Sequence, residues 1–123
     1  MDTRSKILTS SSVNASQCPR PLAVVSGIFD VLRTTHAREL TQIRDRVQSL
    51  LVVVLPASAE LLPQRSRAEL VAALRVVDYV VIADHTELDR LIESVKPEEF
   101  VRLEAADAIR TRQLIEHVHR RQS

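Results

Sequence analysis

A chain of 123 residues, 45% of them apolar, is long enough to build one domain around a real core. Its 17 basic and 16 acidic residues leave a formal net charge of +1, so no general field draws it to nucleic acid or an anionic membrane, and 2% aromatic content leaves no stacking platform for single strands. A lone Cys18 gives no disulfide framework and no zinc cluster, no run is long enough to span a bilayer, and no signal-peptide pattern opens the chain, so a cytoplasmic location is expected.

Taken in order, residues 1–20 are polar and lack periodicity, which marks them as a flexible segment closed by Pro19-Arg20-Pro21; residues 21–123 form the folded domain. Leu22 to Val25 reads as a buried strand that stops at Gly27, the only glycine in the chain. Glycine at a single position points to a backbone with positive φ or one lying against a ligand. A helix follows from near His36, with Thr34 or Thr35 able to cap it and Leu40, Ile43 and Val47 on one face. A strand, a glycine turn and a helix N-terminus direct free N–H groups and a positive dipole end at one point, as an anion site requires. An ordinary strand-to-helix connection is the competing reading.

Leu50 to Leu55 reads as a strand buried on both faces, the pattern of a parallel sheet. After a connector from Pro56 to Gln64, the capping box Ser66-Arg67-Ala68-Glu69 announces a helix with Leu70, Ala73, Leu74 and Val77 inward. Tyr79 to Ala83 is the third predicted strand, and Thr86-Glu87-Leu88-Asp89 caps a helix carrying Leu88, Leu91, Ile92 and Val95 on its inner face before Pro97. Phe100 to Leu103 supplies a fourth strand and Ala106 to Arg120 a last helix. Strands alternating with helices predict an α/β fold, an open parallel sheet with helices on both faces and a ligand crevice beyond the strands' C-terminal ends. The Gly27 loop follows the first predicted strand and therefore sits at that end.

Gly27-x-Phe29-Asp30-x-x-Arg33-x-Thr35-His36 resembles the G-x-F-D-x-x-H-x-G-H signature of the cytidylyltransferase-like nucleotidyltransferases. Gly27, Phe29, Asp30 and His36 match; Arg33 stands where the first histidine belongs and Thr35 where the second glycine belongs. Two later blocks extend the resemblance over about Leu22 to Val101. Arg67 to Val81 is similar to the family's helix leading into an R-x-V-D-x-V strand, with Arg75 and Asp78 matching. Leu88 to Pro97 is similar to the helix and lysine–proline ahead of strand four in the heptose-phosphate adenylyltransferase branch. The chain departs from that branch in the connector Pro56 to Gln64, which has neither glycine nor lysine, and in a shortened C-terminal part where Arg110-Thr111-Arg112 stands for a phosphate-binding turn.

The resemblance implies a Rossmann-like three-layer fold with the predicted strands ordered 3-2-1-4. It also implies transfer of a nucleotidyl group from ATP or CTP, with Mg²⁺, to a sugar- or polyol-phosphate, releasing pyrophosphate. On it, His36 and Arg33 are the catalytic candidates, and Gly27, Ile28, Phe29, Asp30, Thr35, Arg75 and Thr111 the nucleotide-binding ones. No residue is assigned to a metal: His85, His117 and His119 lack metal-ligand company. The residues themselves leave bland roles open beside these: a surface arginine at Arg33, a turn-capping Asp30, a core Phe29, a solvent-facing His36 and an Arg75–Asp78 ion pair. Three functions stay open: a working divergent enzyme, a lapsed relative that binds nucleotide or phosphate as a regulatory module, and a scaffold or homodimerisation domain without ligand. None involves nucleic acid or a membrane.

Overall fold

The computed structural model describes residues 3–13, 15–29, 34–57 and 62–104. Five strands form one wholly parallel sheet: β1 (Ile7–Thr9), β2 (Leu22–Gly27), β3 (Ser49–Val54), β4 (Tyr79–Ile82) and β5 (Glu99–Arg102), in the order β1-β4-β3-β2-β5. The four strands expected from the sequence stand in the expected order 3-2-1-4, and β1 adds one more at the edge beside β4.

Burial explains why these segments are strands. Every residue of β2 and β3 is buried, as the middle of a parallel sheet covered on both faces demands. Ala23 and Val25 of β2 face the same way as Leu50, Val52 and Val54 of β3. They pack with Leu40, Ile43 and Val47 of α1 (Thr34–Arg44) and its following turn, and with Ala68, Val71 and Ala72 of α2 (Gln64–Ala72). The alternate residues Leu22, Val24, Leu51 and Val53 pack on Leu88, Leu91 and Val95 of α3 (His85–Val95). Two apolar layers thus sandwich the sheet. Each fully buried Leu or Val contributes about 1.5–3 kcal/mol.

The N-terminal segment differs from the expectation of a loose lead-in. Ile7, Leu8 and Thr9 pair in register with Val80, Val81 and Ile82. Just ahead of them Lys6 Nζ donates to the carbonyls of Leu74 (3.2 Å) and Val77 (2.7 Å). Two apolar residues and one lysine anchor are too short a signal for periodicity to register. Cys18, which falls in the segment expected to be flexible, is buried in the α3-side core. Burial pushes its thiol above the ordinary 9.0, partly offset by Arg20.

The starts of α2 and α3 lie upstream of their expected positions. α3 begins with a capping box of Asp84 and Glu87, not Thr86 and Asp89. It ends on Lys96, whose φ of 51° occupies the left-handed position usually given to glycine. α2 starts at Gln64 behind Pro63, with no side-chain cap, so Ser66 lies inside the helix. Its buried stripe is Arg67, Ala68, Val71 and Ala72, while Leu70 is 45% exposed. Of the expected stripe, Leu70 and Ala73 are exposed because Arg67 sets the inner face of the helix, whereas Leu74 and Val77 pack on the core beyond its end. β5 runs one residue earlier than expected, and the helix expected from Ala106 lies outside the described residues.

Candidate active site at the carboxyl ends of the strands

The order of the sheet reverses at β2, which has β3 on one side and β5 on the other. Such a reversal opens a crevice beyond the carboxyl ends of the two strands. Gly27 ends β2 there, and its carbonyl accepts from the amide of Leu55, just past β3, at 2.8 Å.

Gly27 does not take positive φ; Phe29 does, at 56°. What requires glycine is space. A Cβ on residue 27 would lie 2.6 Å from Cε2 and 2.7 Å from Cζ of Phe29, closer than van der Waals contact allows. The Phe29 ring folds back over Gly27 and is 2% exposed. It also meets His36 in an edge-to-face contact, with centroids 5.6 Å apart and planes at 69°. His36, the third residue of α1, is 3% exposed, so it does not simply point to solvent.

Arg67 holds the loop from beneath. Although fully buried, it reaches three carbonyls: Nη1 donates to Ile28 (2.6 Å) and Leu55 (2.8 Å), and Nε to Leu62 (3.2 Å). One guanidinium therefore ties the Gly27 loop, the end of β3 and the connector to α2, and places a permanent positive charge under the loop. Beside it, Gln64 Nε2 donates to the carbonyls of Val54 (2.9 Å) and Ala83 (3.2 Å), joining the ends of β3 and β4. Sequence patterns place Arg67 only as an arginine at a helix start and give Gln64 no role. The available signal is Arg67's position on the same stripe as Ala68, Val71 and Ala72.

At the β2–β5 side of the crevice, Ser26 Oγ donates to both carboxylate oxygens of Glu104, at 3.0 and 2.8 Å. Neither residue stands out in the sequence. Arg102 lies 3.8 Å from Glu104 and 3.9 Å from Asp89 of α3.

The structure thus brings Gly27, Ile28, Phe29 and His36 together, with Thr35 exposed in the first turn of α1. Arg75 is elsewhere. It is exposed in the turn leading into β4, at the amino ends of the strands, away from Gly27. Its expected partner Asp78 pairs instead with Arg44 Nε at 3.0 Å and accepts from the Leu50 amide at 2.8 Å, clipping α1 to the start of β3. Asp30, Arg33 and Thr111 lie outside the described residues. Among the described residues no group of three or more His, Cys, Asp or Glu side chains is placed to hold a metal ion, and no helix is long and apolar enough to cross a membrane.

No protein-family model matches the chain. Individual relatives do. An FAD synthase of Methanoregula boonei is 32% identical over 80 residues, covering 60% of this chain and 54% of that protein. The bifunctional protein HldE of Geotalea uraniireducens is 35% identical over 91 residues, covering 66% of this chain and 18% of that protein. The chain therefore spans about half the length of the FAD synthases it matches and a small part of HldE. Among solved structures, a lipopolysaccharide core biosynthesis protein from Thermoplasma volcanium superposes with a TM-score of 0.59 at 24% identity, covering 64% of this chain and 70% of that one. That likeness carries the fold; the two sets of sequence relatives add a resemblance over about two thirds of the chain, beside its own motif at Gly27, Phe29 and His36. The glycine loop, the parallel sheet and the strand order all agree with that likeness: the chain is similar to cytidylyltransferase-like nucleotidyltransferases and carries a degenerate form of their signature.

Proposed function

We propose that the domain binds the phosphates of ATP or CTP at the Gly27 loop and transfers the nucleotidyl group to a phosphorylated sugar, polyol or flavin. The carrying observation is the loop itself, folded over Gly27 by Phe29, anchored by buried Arg67 and closed against His36 in the first turn of α1. The flavin belongs among the acceptors because several relatives are named FAD synthase.

In the proposed reaction an acceptor phosphate oxygen attacks the α-phosphorus. The bond from that phosphorus to the oxygen bridging to the β-phosphate breaks, and the electron pair leaves with pyrophosphate. Such a step depends on alignment and on neutralising charge that builds on the leaving oxygens. The amino-terminal amides and positive dipole end of α1 supply both, and no acidic residue in its first turn opposes them. On this reading His36 adds a hydrogen bond to the phosphates, with Phe29 packed edge-to-face on its ring. Arg67 acts as a positioning residue with its carbonyl contacts already formed. When bound with the nucleotide, Mg²⁺ would supply further neutralisation of the phosphate charge.

The test is pyrophosphate release with ATP or CTP, Mg²⁺ and a panel of sugar-, polyol- and flavin-phosphates. Release that requires both substrates and falls about 10²–10³-fold in His36→Ala supports the reading. No release, together with no binding of either nucleotide at millimolar concentration, overturns it.

A further inference from the structure

We infer that Glu104, set by Ser26, is a specificity-determining residue that accepts hydrogen bonds from a vicinal diol in the crevice. The inference rests on the nucleotide-binding reading above and assigns the opposite side of the same crevice.

Position comes first. Ser26 and Arg102 are paired in register near the carboxyl ends of β2 and β5, two neighbouring strands at the switch point. Glu104 comes two residues after Arg102 and reaches Ser26. The Ser26 side chain is fully buried, and its one hydroxyl proton is shared between both oxygens of Glu104. A carboxylate offers about four acceptor sites, so one donor bifurcated over both oxygens leaves about half of them open, one on each oxygen. The side chain is 14% exposed, which fixes it without sealing it from solvent.

Charge then decides what it accepts. Arg102 stands near both Glu104 and Asp89, so its single positive charge serves two carboxylates and cannot turn this side into an anion site. Phosphate is repelled here and attracted at the α1 end, where the helix dipole and buried Arg67 lie. Neutral hydroxyl donors suit a rigid carboxylate with open acceptor sites. Two adjacent hydroxyls can each use one oxygen. The crevice therefore gives its ligand a direction, phosphates toward α1 and hydroxyls toward β5. The diol belongs either to the ribose of the nucleotide or to a polyol-phosphate acceptor; both present the same chemistry.

The experiment measures binding by calorimetry for wild type, Glu104→Gln and Ser26→Ala. The probes are ATP and CTP against their 2′,3′-dideoxy forms, glycerol 3-phosphate against 1,2-propanediol 1-phosphate, and inorganic tripolyphosphate. Hydrogen bonds to a charged group are worth about ten- to a hundredfold in affinity. Wild type should prefer the diol by at least about tenfold in one pair, and which pair identifies the source. Glu104→Gln should bring that preference to within about threefold while leaving tripolyphosphate affinity unchanged, which also certifies that the variant is folded. Ser26→Ala should weaken the preference without abolishing it. Nucleotide binding with no diol preference in either pair, or a preference that survives Glu104→Gln, overturns the assignment and leaves the nucleotide reading standing. Failure of wild type to bind any nucleotide or tripolyphosphate overturns both.

Discussion

Arg67→Ala is the perturbation that best separates a fold held by its apolar layers alone from one in which the Gly27 loop is built into the fold. Arg67 is fully buried and is the largest of the fully buried side chains among the described residues. Removing it strips the Ile28, Leu55 and Leu62 carbonyls of this donor. Each buried carbonyl left without a partner costs about 1–3 kcal/mol, reduced where water enters the space. The losses at Ile28 and Leu55, with a smaller one at exposed Leu62, share one cavity and do not add fully, which gives about 3–5 kcal/mol in total. For a domain of this size that corresponds to roughly 10–20 °C in melting temperature. A surface arginine on the same helix sets the scale. Arg65 pairs with Glu69 at i,i+4 with both side chains largely exposed, and Arg65→Ala should cost no more than about 0.5 kcal/mol. Arg67→Lys should fall between them, because an ammonium on a flexible stem cannot match the fork that meets carbonyls in three directions. Thermal unfolding followed by far-ultraviolet circular dichroism reads all three. If Arg67→Ala melts within about 3 °C of wild type, water satisfies those carbonyls as well as the guanidinium does, and the clamp is refuted.

Two further outcomes follow from other parts of the structure. Gly27→Ala should cost about 1–3 kcal/mol in urea unfolding by forcing its Cβ into the Phe29 ring, and in the double variant with Phe29→Leu the two losses should total less than their sum; strictly additive losses would show that the ring is not the constraint. Glu98 has its carboxyl held below the ordinary 4.5, chiefly by the amide of Leu22 and then by Arg20. A lowered folded value means the contribution is present above about pH 4.5 and is lost as pH falls through the folded value. Glu98→Gln should therefore narrow the gap in stability between about pH 6 and about pH 3, and an unchanged gap would show that the contact has no net effect.

The central fold is legible in the sequence because its signal is apolar burial. Leu22 to Val25 and Leu50 to Leu55 are buried throughout, and uninterrupted apolar runs of that length announce interior parallel strands. α3 is legible for a related reason: Leu88, Leu91 and Val95 all lie inward as spacing requires. What escapes is set by polar contacts made across long sequence distances. Lys6 reaches Leu74 and Val77, Arg67 reaches Ile28, and Ser26 reaches Glu104. No local pattern records such a contact, so β1 goes unannounced, α2 reads out of phase and Asp78 is matched to the wrong arginine. The motif locates the loop correctly, but the reason for its glycine is not the one sequence suggests.

That reason bears on what the loop is for. The chain has one glycine, and two non-glycine residues of the described structure, Phe29 and Lys96, take positive φ. A backbone in that region costs a non-glycine residue on the order of 1–3 kcal/mol, and a bulky aromatic is an unusual occupant. A connection needing only to turn from β2 toward α1 would put its glycine at position 29. Here the glycine sits two residues earlier, where the missing Cβ makes room for the ring, and the phenylalanine bears the strained angle. Burying that ring contributes about 1.5–3 kcal/mol, enough to offset the strain. It also sets the ring edge-to-face against His36. Strain persists where the surrounding packing over-determines the conformation, and here that packing is supplied by Gly27 and His36, both against the ring. Gly27 thus makes room for a ring that packs edge-to-face on one imidazole in the first turn of α1.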